Sequence, residues 1–136
     1  MRKIQVLAVG LALTTPVLAF AHHSFAMFDM SKSINYKGTV KEVQWTNPHV
    51  WVDIEVTADG KTSTLSFEGA AIPVLKRVGW LKDSVRQGDV VTVVGHPYKN
   101  GRLGGSIDYL LLADGRKLGT GDAIPPALVV PGVSAQ

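Results

Sequence analysis

His49-Val50-Trp51-Val52-Asp53-Ile54-Glu55-Val56-Thr57, closed by Ala58-Asp59-Gly60, alternates apolar and polar residues without a break. A period of two puts Val50, Val52, Ile54 and Val56 on one face of a strand and His49, Trp51, Asp53 and Glu55 on the other. The valine and isoleucine face is the core face. Asp59-Gly60 is a strong hairpin turn, and it returns the chain as a third strand, Ser63 to Glu68. Upstream, Asn47-Pro48 breaks a first strand running from Asn35 to Trp45, with Gly38 inside it as a bulge or bend.

Beyond Glu68 the texture changes. Ile72, Leu75, Val78 and Leu81 are spaced for one face of a short helix between Gly69 and Trp80, with Pro73 tolerated near its start and Gly79 able to end it. Gln87-Gly88-Asp89 turns into a fourth strand, Val90 to Gly95, whose valines on both faces read as a buried central strand. A fifth strand runs from Arg102 through Leu112, bent at Gly104-Gly105 and closed by Asp114-Gly115. Three strands, a helix and two strands give the expected fold: mainly β, a five-stranded OB-like barrel with one short helix between strands three and four. Another small β-barrel or sandwich with one helix has the same element order.

The N-terminus reads as an export signal. Met1-Arg2-Lys3 is positive, Ile4 to Leu13 is apolar, and Ala19-Phe20-Ala21 is a small-x-small cleavage pattern, so residues 1–21 are expected to be removed. Cleavage after Val17-Leu18-Ala19 is the other option. The remaining 115 or so residues, about 22–136, suffice for one compact domain and are too few for two. That domain is expected over 22–118, with a flexible tail over 119–136 marked by Pro125-Pro126, Pro131 and few charges.

Composition narrows the function. The chain holds 14 Lys and Arg against 11 Asp and Glu, and Arg2 and Lys3 leave with the signal, so the mature protein is close to neutral despite a sequence pI near 9.3. Nucleic acid and anionic membrane surfaces therefore lose their electrostatic argument. With 0 Cys there is no disulfide, thiolate nucleophile or zinc-thiolate site. Outside the signal no apolar run approaches the ~20 residues of a membrane span, and the expected location is the periplasm.

Cleavage at Ala21 would make His22 the first residue, with an α-amine beside its imidazole. His49 lies in the loop between strands one and two and His96 in the loop between strands four and five, which share one rim of an OB barrel. If the segment from His22 to Asp29 crosses that rim, all 4 histidines, His22, His23, His49 and His96, meet there. Imidazole suits copper, zinc and nickel, and an amine and ring from one residue form a chelate at low ordering cost. The expected metal is copper, held by His22 with His49 or His96, and with His23, Met27 or Met30 as auxiliary ligands. Singly, each histidine is more often a turn or stacking residue than a ligand, and no His-Glu-x-x-His motif strengthens the set.

Other chemistry is poorly represented. Asp53 and Glu55 sit on the outward face of strand two with Glu68 and Glu42 as cross-sheet neighbours, where solvated charges are the common case. No Gly-x-Ser-x-Gly turn or phosphate loop is present. Trp45, Trp51, Trp80 and Tyr98 are candidates for a stacking platform, with Trp80 better placed to pack on the helix. His22-His23-Ser24-Phe25 after a signal, Trp45-Thr46-Asn47-Pro48-His49, Gly79-Trp80, Gly88-Asp89-Val90-Val91-Thr92-Val93-Val94-Gly95 and Asp114-Gly115-Arg116-Lys117-Leu118 resemble a family of small exported bacterial proteins of unknown function. The resemblance implies export and a small barrel domain, with no catalytic residues to carry over. The expected function is a non-enzymatic periplasmic binding module that captures metal. The alternative is a metal-free adaptor for an envelope protein, glycan or small ligand, and a copper-dependent oxidase ranks last.

Overall fold

The computed structural model describes residues 25–121. The 49–57 alternation becomes strand β2 (Trp51–Ala58), in which Val52 and Ile54 are fully buried, as is Val50 just ahead of it. Asp59-Gly60 turns β2 into β3 (Lys61–Glu68), so that Ala58 faces Lys61 and Trp51 faces Glu68. β1 (Ile34–Gln44) pairs antiparallel with β2, and its register shifts between Val40 and Glu42 rather than at Gly38. The extra residue of the bulge is thus Lys41, which turns to solvent and donates to Thr64 Oγ1 at 3.0 Å.

Helix α1 (Ile72–Arg77) lies within the expected span, with proline in its first turn. Its core contact is Leu75, and Trp80, 1 % exposed, folds back beneath it through a Trp80 N–H bond to the Leu75 carbonyl. Val78 and Leu81 face solvent instead, because the helix ends at Arg77 and the 3.6-residue spacing no longer applies beyond it. β4 (Val90–Gly95) lies beside β1 and sends Val91 and Val93 into the core, while Val90 is exposed.

The closed five-stranded barrel expected from the element order is corrected by the strand pairing. The protein forms one open seven-stranded sheet. The single fifth strand is two: β5 (Gly104–Ser106) runs parallel to β3, and β6 (Tyr109–Leu112) runs antiparallel to β4. β7 (Lys117–Gly119) follows as an antiparallel neighbour of β6, giving the order β5-β3-β2-β1-β4-β6-β7. The physical reason lies at the Gly104-Gly105 bend. Gly104 has a φ of +106°, and a Cβ there would collide with the Ser66 carbonyl; a Cβ on Gly105 would collide with the His96 carbonyl. Only glycine lets these backbones cross so closely.

Residues 106–108 then connect the two halves of the sheet. Ser106 N–H donates to the His96 carbonyl at 2.9 Å, Ile107 N–H to the Glu68 carbonyl at 2.8 Å, and Asp108 N–H to the Val94 carbonyl at 2.8 Å. The core gathers under this connection, from Val50, Ile54, Phe67, Leu75, Val93 and Leu110 among others. Gly119 belongs to β7, and the Thr120 hydroxyl donates to the Ile107 carbonyl at 2.7 Å, so the folded body reaches past residue 118. The signal segment 1–21, His22, His23 and residues 122–136 lie outside the described residues.

Candidate functional site

Hairpin register builds the first half of the site. Trp51 faces Glu68 across β2 and β3, and His49 sits two residues before Trp51, so imidazole and carboxylate meet at the end of the ladder. His49 Nδ1 lies 2.5 Å from Glu68 Oε1. A carboxylate only accepts, so Nδ1 carries a proton and Nε2 is the ring nitrogen that Glu68 does not engage. Glu68 is 8 % exposed, and among the described residues Nε2 of His49 makes no hydrogen bond.

The second half forms where β4 ends. His96 Nδ1 lies 2.6 Å from the Lys32 carbonyl and Nε2 lies 3.1 Å from Asp108 Oδ2. A carbonyl cannot donate, so Nδ1 is protonated, and a further proton must lie between Nε2 and the Asp108 carboxyl. Burial pushes the Asp108 carboxyl above the usual carboxylate range, and the His96 charge opposes that shift.

Both pairs line one cleft of about 970 Å³. One wall is the segment carrying Phe25, Phe28 and Met30; the other is the start and outer side of α1, with Ala70, Ala71, Val74, Arg77 and Val78. Ser106, Ile107 and Asp108 also line it. The first wall is tied down by Phe28, which bridges to Tyr98 and stacks on it at 4.9 Å, and by Asp29 N–H donating to the Pro97 carbonyl at 2.8 Å.

His49 and His96 therefore share a cleft, but each ring is held by its own carboxylate, and His96 has both nitrogens engaged. Among the described residues no group of three or more His, Asp or Glu side chains is placed to hold a metal ion. Met30 lines the cleft and is half exposed, whereas Met27 does not line it. The aromatic platform is not assembled either: Trp80 and Tyr98 are buried and Trp45 packs against the core. Trp51 instead borders a second, shallower depression with Arg102 and Leu103. Asp108 and Arg77 are the site residues that sequence reasoning passed over.

Residues 11–107 match the sequence family DUF6152, described as a family of unknown function. The chain belongs to the DUF6152 family. The matched span of this DUF6152 protein takes in His49, Glu68 and His96 and stops just before Asp108. No curated protein matches the chain. Among the described residues no helix is long and apolar enough to cross a membrane.

Proposed function

We propose that this DUF6152 protein is an exported binding module that takes a small ligand in the cleft beside α1. The observation that carries the reading is the convergence of the His49–Glu68 and His96–Asp108 pairs on one largely apolar cavity of about 970 Å³. Ligand sites are typically concave, apolar and furnished with a few fixed polar groups, in a volume of roughly 300–1,000 Å³. Export to the periplasm rests on the leader pattern of residues 1–21.

Native mass spectrometry of protein released from the bacterial envelope tests this. The expected result is a non-covalent adduct that is lost in Val74→Trp, a partly buried helix position where the larger ring fills the cavity. No adduct, together with no response of cleft amides to a fragment mixture, sinks the reading.

Copper capture is the second reading, favoured by the orientation of His49. Glu68 holds the ring through Nδ1 and leaves Nε2 as the nitrogen a metal ion would take, the arrangement common to carboxylate-supported metal ligands. His22 precedes Phe25 by three residues, a span of at most ~10 Å of chain, so its amine and ring are within reach of the cleft that Phe25 borders. His96 fits less well, since it would first have to release Lys32 or Asp108. Titration of the exported protein with Cu(II) should show tight binding that falls in His49→Ala and when one residue is added ahead of His22. Equal affinity in all three proteins removes copper from consideration.

A further inference from the structure

We infer that the ligand class of this cleft is an amphiphilic monocarboxylate, with its alkyl chain between the Phe25–Met30 segment and α1 and its carboxylate on Arg77. The inference rests on the cleft being the ligand site and adds which chemistry it selects.

Charge matching around the cavity comes first. Five charged or titratable side chains line it: His49, Glu68, Arg77, His96 and Asp108. Glu68 is satisfied by the His49 N–H, and Asp108 shares a proton with His96. Those pairs leave neither carboxylate in need of an incoming cation. Arg77 stands in the last turn of α1 and makes no ion pair or hydrogen bond among the described residues. It is the cation of the cavity without a salt-bridge partner among the described residues, and its planar fork suits a carboxylate held by two parallel hydrogen bonds.

The apolar surface comes second. Phe25 is 61 %, Met30 50 % and Val78 37 % exposed, and all three line this cleft. Phe28, Val74 and Ile107 line the same cleft, so apolar side chains stand on both of its walls. Apolar surface gathered in a concavity, rather than scattered singly, marks a binding site. A polar or doubly charged ligand would leave that surface wet, whereas an alkyl chain would remove it from water.

Decanoate and decanol are the probes, used on the full exported chain at pH 7.5 with amide spectra and calorimetry. Decanoate is expected to shift the amides of Ala70, Val74, Ile107 and Gly121 and to bind about three- to tenfold more tightly than decanol. The preference is modest because Arg77 is solvent-accessible. Arg77→Gln, a surface change that leaves the core untouched, should abolish the preference while leaving decanol binding as it was. Equal binding of both probes, or an unchanged preference in Arg77→Gln, overturns the carboxylate assignment but leaves the cleft as the site. If neither probe moves the cleft amides, the cleft reading itself fails. Contacts between the Leu128 or Val129 methyls and Val74 in the ligand-free protein would also overturn it, by assigning the cavity to the chain's own residues 122–136.

Discussion

His96 and Asp108 share a proton. The ring donates from Nδ1 to the Lys32 carbonyl at 2.6 Å, so the 3.1 Å approach of Nε2 to Asp108 Oδ2 is attractive only while a second proton lies between them. Burial raises the Asp108 carboxyl above its unfolded value, so the folded chain binds a proton on that carboxyl more tightly than the unfolded chain does. In the window between those two values unfolding releases a proton, and this group's contribution to stability declines as pH rises through it. Asp108→Asn can donate to Nε2 without titrating. Melting temperatures of the two proteins from pH 3.5 to 8 should show the variant gaining on the natural protein as pH increases, and a flat difference would contradict the raised Asp108 carboxyl.

Glu68 fixes the tautomer of His49. Replacing it with glutamine exchanges a charge-assisted hydrogen bond for a neutral one about half as strong. Nitrogen spectra of the natural protein should show a proton held on His49 Nδ1, and Glu68→Gln should weaken that hold and shift the ring towards the Nε2–H tautomer. The stability loss is expected to be about 1 kcal/mol. If copper is the ligand, its affinity should drop about 10- to 100-fold with the same substitution.

Gly105 is packed against the His96 carbonyl and the Ile34 side chain, with no room for a methyl group. Gly105→Ala should cost about 2 kcal/mol or more, since the obstacle is backbone and cannot rotate away. In a domain of this size that lowers Tm by roughly 10 °C. Amides of His96 and Ser106 should lose hydrogen-exchange protection first, because β5 is held there.

Asp29 organises the wall opposite α1. Its carboxyl accepts from the Ser31 hydroxyl at 2.6 Å and pairs with Lys32 at 2.9 Å, and these contacts, the Ser31 bond foremost, hold it down to about 2. A depressed carboxylate contributes stability that is present above its unfolded value of 3.8 and disappears as pH falls towards 2. Acidification from pH 4.5 to 2 should therefore loosen the Phe25–Lys32 segment, seen as lower protection factors at Asp29 and Lys99 once the pH dependence of intrinsic exchange is divided out. Asp29→Ala should show that exchange already at pH 6.

The β2–β3 hairpin was largely legible in the amino-acid order, although β3 begins at Lys61 and not at Ser63. Alternation from Val50 to Val56 names the buried face, and Asp59-Gly60 sets the register. Counting back from that turn pairs Glu68 with Trp51, and not with Asp53 or Glu55 as expected, since Asp53 faces Ser66 and Glu55 faces Thr64. The turn register thus carried the signal for the first dyad, whereas the second left none. Gly104-Gly105 announces a bend but not that the chain passes from the edge of β3 to that of β4, which depends on two long-range registers. Hence the expected barrel gives way to an open sheet, and Asp108 goes unnoticed as the partner of His96. Lys117-Leu118-Gly119 is too short to show a period, and β7 is visible only through its pairing with β6.

Because residues 106–108 tie Glu68 on one side to Val94 and His96 on the other, the floor of the cavity exists only when both halves of the sheet are in place. The β2–β3 hairpin closes a short loop, whereas the Ile107–Glu68 bond closes one of about 39 residues and carries the larger entropic cost. The pocket is thus a property of the whole fold and not of any one hairpin. A ligand bound there would recognise only the finished protein and, by mass action, would raise its resistance to unfolding in the envelope.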